Sequence, residues 1–150
     1  MQKKILCFTF HGYGQIIGYP VFDLENFYTD INRYLRALEE IVISTLKFYK
    51  ISSKRSPGET GVWLQPDDSN SRKICAIGVK ASRWVTMHGF ALNVDTDLRY
   101  YDYIIPCGIK GKGITSINRE IKKNVSINEV KKQLLENIKK TFNANLIFSV

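Results

Sequence analysis

The chain has 150 residues, 44% hydrophobic and 24% charged, a balance that suits one globular domain and excludes a disordered, collagen-like or coiled-coil chain. No apolar run approaches the roughly 18 residues of a membrane span, and the start Met1-Gln2-Lys3-Lys4-Ile5-Leu6-Cys7 has neither the apolar core nor the cleavage site of a signal peptide. The net charge of +8 is uneven: residues 110–150 carry nine Lys/Arg against three Glu, and residues 1–109 carry thirteen against eleven Asp/Glu.

Residues 4–10 predict a strand. His11-Gly12-Tyr13-Gly14-Gln15 predicts a loop, because its two glycines reach backbone angles that other residues resist. Residues 16–24 predict a second extended piece, and Pro20 argues against full pairing there. The clearest helix is residues 27–50, with Ile31, Tyr34, Leu35, Leu38, Ile41, Val42, Thr45 and Leu46 on one face. Arg36, Glu39, Glu40 and Lys47 fall largely off that stripe. Short strands are expected at 52–56 and 61–64, a turn at 66–71, and two long strands at 73–81 and 84–94. Pro106-Cys107-Gly108 predicts a tight turn, and Gly108, Gly111 and Gly113 predict a loop after it. Ser126-Ile127-Asn128-Glu129 is a capping box that opens a helix to about Phe142, with Ile127, Val130, Leu134, Ile138 and Phe142 as its buried stripe. The expectation is a single α+β domain over residues 1–150, with a mostly antiparallel or mixed sheet and flanking helices.

Three cysteines without a CxxC pair, and only His11 and His88, argue against a disulfide framework and against a metal site, and they favour a reducing, cytoplasmic compartment. Cys107 sits between a proline and a glycine, which leaves space beside the sulfur. It is either a nucleophile, given a nearby base or cation, or an inert buried thiol. Cys7 and Cys75 lie in apolar strands and predict inert thiols. Lys73 continues the apolar stripe of Cys75, Ile77 and Val79 on strict alternation. It is either a strand-end side chain reaching for water or an amine in a cleft, where burial lowers its pKa. His11 and His88 are each a general base, a substrate clamp or a structural histidine. Gly78 and Gly89 mark either close backbone approach to a ligand or bulges. The basic C-terminal segment suits nucleic acid, an anionic surface or an acidic protein, or is a solvated helix face. Its aromatic and basic residues are not interleaved as single-strand binding wants.

Five segments in order resemble one family. They are Phe8-Thr9-Phe10-His11-Gly12-Tyr13-Gly14-Gln15 with Gly18-Tyr19-Pro20; Gly61-Val62-Trp63; Lys73-Ile74-Cys75-Ala76-Ile77-Gly78-Val79; His88-Gly89-Phe90-Ala91-Leu92-Asn93-Val94; and Ile105-Pro106-Cys107-Gly108 followed by Thr115-Ser116. The chain is similar over residues 8–118 to the lipoyl(octanoyl) transferases, relatives of the biotin and lipoate protein ligases. The resemblance implies the catalytic-domain fold of that superfamily. It implies octanoyl transfer from acyl carrier protein to a lysine of the lipoyl domains of 2-oxoacid dehydrogenases and of the glycine-cleavage H protein. It puts the acyl-thioester nucleophile at Cys107, the lysine that lowers the thiol's pKa at Lys73, and substrate-binding positions at His11, Ala76, Ile77, Gly78, Gly89, Phe90 and Ala91. No cofactor, metal, nucleic acid or membrane enters this activity, and a monomer is expected. Two departures stand out. Lys4-Ile5-Leu6 occupies the place of the family's Arg-Gly-Gly triplet, and Tyr13 stands where proline is usual. Together with a start only ten residues before His11, they imply an N-terminally shortened member. The alternatives are a non-catalytic relative that docks carrier or lipoyl domains, and an ATP-using ligase. The Cys107/Lys73 pair without an added ATP-site segment speaks against the ligase.

Overall fold

Two apolar runs flank Arg83-Trp84, and they form the central hairpin: β4 (Arg72–Ser82) and β5 (Val85–Asn93), paired from Ser82↔Val85 to Cys75↔Leu92. Arg83 and Trp84 both take left-handed backbone angles (φ 48° and 64°), the two-residue turn whose twist matches the strands it joins. The structure, a computed structural model, describes residues 10–103 and 112–145. The expected strand at 4–10 (all but its last residue), Cys7, and the Pro106-Cys107-Gly108 turn with Gly111 lie outside the described residues.

β1 (Gln15–Gly18) lies outside β5; β3 (Glu59–Leu64) and β2 (Lys54–Ser56) lie beyond β4, giving the antiparallel order β1-β5-β4-β3-β2. β6 (Gly113–Ile114) pairs in parallel with the start of β4 at Arg72 and Lys73, where β5 no longer reaches, so the sheet is mixed as expected. β1 stops at Gly18, well short of residue 24. Pro20 lies just past the strand end, and residues Leu24–Asn26 form a single 3-10 turn.

α1 (Ile31–Phe48) starts four residues later than the periodicity predicts. Asp30 is the reason: its backbone is extended, and its carboxylate accepts the Arg33 N–H at 2.9 Å, which makes it the cap. The apolar stripe is buried as expected, but Glu39 is a correction. Expected off the stripe, it is fully buried, with its carboxylate 2.7 Å from Arg36 and 3.0 Å from Arg55 and accepting the Gly61 N–H at 3.2 Å. A buried charge persists only where such partners meet it. α2 (Ile117–Ile121) falls where a loop was expected after Gly113. At five residues it is too short to show a helical period. α3 (Ile127–Phe142) opens with the predicted capping box and buries Val130, Leu134 and Phe142, with Ile127 and Ile138 packed beside them. α1 and α3 pack together over one face of the sheet. Among the described residues, no helix is long and apolar enough to cross a membrane.

Candidate functional site

Alternation along β4 and β5 sends Cys75, Ile77, Phe90 and Leu92 into the helix-covered core. Their neighbours face the opposite side, where the cross-strand pairs Ala76↔Ala91 and Gly78↔Gly89 place four small residues together. They floor an open cavity of about 670 Å³, within the range of about 300–1,000 Å³ usual for small-molecule sites.

Lys73 reaches this cavity because β4 is irregular. Strict alternation places it with Cys75 and Ile77, but the β3–β4 register slips between Val62↔Cys75 and Trp63↔Lys73. Ile74 is thereby an extra residue on β4, and Ile74 and Cys75 are both in the core. Such a bulge inverts the facing of whatever precedes it, so Lys73 lines the cavity instead. Gly61 permits the close strand approach: it takes φ +107°, and a Cβ there would lie 2.5 Å from the Cys75 carbonyl oxygen.

The Lys73 ammonium lies 4.6 Å from the centre of the buried Trp63 ring, a favourable cation–π distance. Burial holds the Lys73 pKa below the ordinary lysine value; the nearby Glu59 and Cys75 pull it back up, and Lys112 pushes it further down. Lys112 lies 4.9 Å over the same ring, and its Nζ is 2.6 Å from Glu59 Oε2. Burial pushes Glu59 up, but hydrogen bonds from Lys112 and Ser56 and the charges of Lys112 and Lys73 outweigh it and hold the carboxyl low. The fully buried Cys75 thiol is driven far up by burial, only partly offset by Lys73. It therefore stays protonated, the inert thiol expected.

The other substrate-binding candidates, His11, Ala76, Ile77, Gly78, Gly89, Phe90 and Ala91, all border this cavity, as does His88, although Ile77 and Phe90 belong to the core cluster. His11 is exposed, with Nε2 3.0 Å from the Tyr19 hydroxyl. His88 is exposed with φ 65°, a left-handed residue inside a strand. The two glycines differ. A Cβ on Gly89 would collide with the Gly18 backbone, whereas one on Gly78 would meet nothing within 4 Å. Cys107 lies outside the described residues. The described chain resumes at Lys112, and the Thr115 N–H donates to the Lys73 carbonyl at 2.9 Å.

Glu59, Thr60, Tyr19 and Lys112 have no site role in the sequence reading. Neither do Gln15, Asn93 and Tyr101, which form a polar knot. Gln15 Nε2 donates to Asn93 Oδ1 and to the Tyr101 hydroxyl, both at 2.8 Å, and Asn93 Nδ2 donates to the Thr115 carbonyl at 3.0 Å. A polar residue closing an apolar strand, as Asn93 does in Phe90-Ala91-Leu92-Asn93, is the one signal that marks it. A second, polar cavity of about 730 Å³ adjoins Arg72, Lys112 and Arg119. Arg72 there is paired twice with Glu120, at 2.7 and 2.6 Å. Among the described residues, no three His, Cys, Asp or Glu side chains are grouped to hold a metal ion.

The family model for the lipoyl protein ligase A/B catalytic domain matches residues 8–139. The chain is 60% identical over 139 residues to an octanoyltransferase of Christiangramia forsetii, covering 92% of this chain and 59% of that protein. It is 58% identical over 140 residues to an octanoyltransferase of Flavobacterium johnsoniae, covering 93% and 60%. The chain thus spans about three-fifths of the length of these curated relatives. In fold it is similar to the bipartite lipoate protein ligase of Thermoplasma acidophilum (TM-score 0.71, 18% identity, 93% of this chain and 55% of that one). It is also similar to biotin protein ligase from Aquifex aeolicus (TM-score 0.66, 18% identity, 87% and 53%).

Proposed function

The chain belongs to the lipoyl protein ligase A/B catalytic domain family, and from that premise we propose that it transfers an octanoyl or lipoyl group from acyl carrier protein to a lysine of lipoyl domains. The acceptors are those of 2-oxoacid dehydrogenases and the glycine-cleavage H protein. The transfer runs through a thioester on Cys107, in a cytoplasmic monomer that needs no cofactor. The observation that carries this reading is the half-buried Lys73 amine at the wall of a cavity floored by Ala76, Gly78, Gly89 and Ala91. Burial that lowers an amine's pKa brings its neutral, proton-accepting form closer to hand, and a floor of small side chains leaves length for an acyl chain. Lys112 stands five residues after Cys107 and beside Trp63. A tether of that length spans at most about 18 Å, a limit compatible with pairing Cys107 and Lys73.

In the first half-reaction the Cys107 thiolate, stabilised by the Lys73 ammonium, attacks the thioester carbonyl of the donor. The new S–C bond forms, the donor S–C bond breaks, and the departing phosphopantetheine thiolate takes its proton from Lys73. In the second, neutral Lys73 accepts a proton from the acceptor amine as its nitrogen attacks the Cys107 thioester. The amide forms, and Cys107 leaves as thiolate beside a reprotonated Lys73. Thioester exchange is nearly balanced and amide formation is downhill, so no ATP is consumed. The net charge of +8 suits acidic carrier domains.

Incubation with octanoyl-acyl carrier protein is expected to place one octanoyl group on the chain, seen by intact mass. The group should then move to an added apo lipoyl domain without ATP. Cys107→Ser should give neither product. Absence of the adduct on the parent chain would remove the transferase reading.

Gly78 makes a second test possible, because it alone of the two floor glycines has room for a side chain. Gly78→Leu should fill the floor and turn preference toward shorter acyl donors. One methylene in an apolar pocket is worth about tenfold or more in discrimination, so hexanoyl against octanoyl transfer should change by at least about that factor. An unchanged ratio in competition assays would place the acyl chain elsewhere.

A further inference from the structure

Taking Lys73 as the working amine of the proposed reaction, we propose that Glu59 and Lys112 are an opposed pair of positioning residues for it, held at the same Trp63 ring. The geometry carries this. Lys73 and Lys112 bring their ammonium groups to 4.6 and 4.9 Å from the centre of one ring. That ring is 1% exposed, so it is a fixed platform. Glu59 lies on the cavity wall and holds Lys112 at 2.6 Å across 53 residues of sequence. Backbone pairing fixes the pair against Lys73: Ile114 pairs with Lys73 across β6 and β4, and Trp63 pairs with Lys73 across β3 and β4.

The two residues act in opposite senses. The Glu59 carboxylate favours the charged form of Lys73, and the Lys112 ammonium disfavours it. Removing Glu59 takes away its attraction and frees Lys112 of its counter-ion, and both changes weaken proton binding at Lys73. Removing Lys112 takes away a repulsion and leaves Glu59 to Lys73 alone. The other groups that face Lys73 among the described residues are few. The Cys75 thiol stays protonated, and the same cavity is lined by His11 and Tyr19 from either side of β1, by Lys80 from β4 and by His88 from β5. The reaction needs Lys73 to alternate between its two forms, and the pair holds it between them.

The test titrates Lys73 directly. The full chain is labelled with acetic anhydride from neutral to alkaline pH, and the Lys73 peptide is followed by mass spectrometry. Glu59→Gln should move the Lys73 midpoint toward acid, and Lys112→Met toward alkali, each by about half a pH unit or more. Lys112→Arg keeps the charge and should leave the midpoint near the parent's. Unfolding would return Lys73 to the ordinary lysine range, an alkaline movement. An acidward shift in Glu59→Gln therefore cannot come from a damaged fold, and for Lys112→Met an unchanged midpoint, or an alkaline shift that Lys112→Arg shares, removes Lys112 from the pair. No shift in Glu59→Gln, or a shift toward alkali, overturns the proposal. The labelling needs no acyl donor. Opposed shifts in a chain that forms no Cys107 adduct would keep the pair and remove only the transferase reading.

Discussion

Lys73→Met is expected to slow octanoyl transfer by about 100- to 10,000-fold, the range for losing a positioned proton-transfer group. The variant should be no less stable than the parent near neutral pH. The sign follows from burial, which depresses the pKa of Lys73 in the folded chain. Between that lowered value and the ordinary lysine value the unfolded chain binds more protons, so stability rises with pH across the window. Below it, the folded chain carries a cation it would rather not bury. Removing the charge lifts that penalty, so thermal melts at neutral pH separate lost chemistry from lost folding. Lys73→Arg sharpens the result. A guanidinium keeps the positive charge but does not deprotonate. It should still support the Cys107 thiolate, with water protonating the departing donor thiolate, while failing as the base for the acceptor amine. The octanoyl adduct should then accumulate on Cys107 in the presence of an apo lipoyl domain. If Lys73→Arg turns over like the parent, Lys73 is not the base.

Glu39→Ala is expected to destabilise the chain by about 2–4 kcal/mol. The Gly61 N–H loses its acceptor at a buried position, which costs about 1–3 kcal/mol. One buried methylene is lost as well, at about 0.8 kcal/mol. Arg36 and Arg55 contribute little to the loss, because their side chains are 50% and 38% exposed and recover water. Urea unfolding should show a lower midpoint with an unchanged slope. Glu39→Gln keeps an acceptor for Gly61 and should lose less. A fall below about 0.5 kcal/mol, the level of an ordinary surface change, would mean that Glu39 does not anchor β3. The site is involved as well, since β3 carries Trp63, on which Lys73 rests.

Much of this arrangement is legible in the chain itself. The stripes of α1 and α3, the capping box at Ser126 and the hairpin of β4 and β5 all arise from local preferences and simple periods. The motif residues meant to line a pocket do share one cavity. Ends read less well than middles. The Asp30 cap sets the α1 start against an apolar pattern that runs further, and α2 is shorter than any period can mark. Cys107 rests on its motif alone.

The α+β elements, the family and the floor of small residues are readable along the chain, because periodicity, capping and motif order are properties of neighbouring residues. The facing of Lys73 is set by folding. Alternation assumes an unbroken register, and the Ile74 bulge exists only in the pairing of β4 with β3. The burial of Glu39 likewise depends on two arginines and a strand N–H brought to it by folding. The meeting of Glu59 with Lys112 closes a span of 53 residues that no local pattern can foresee.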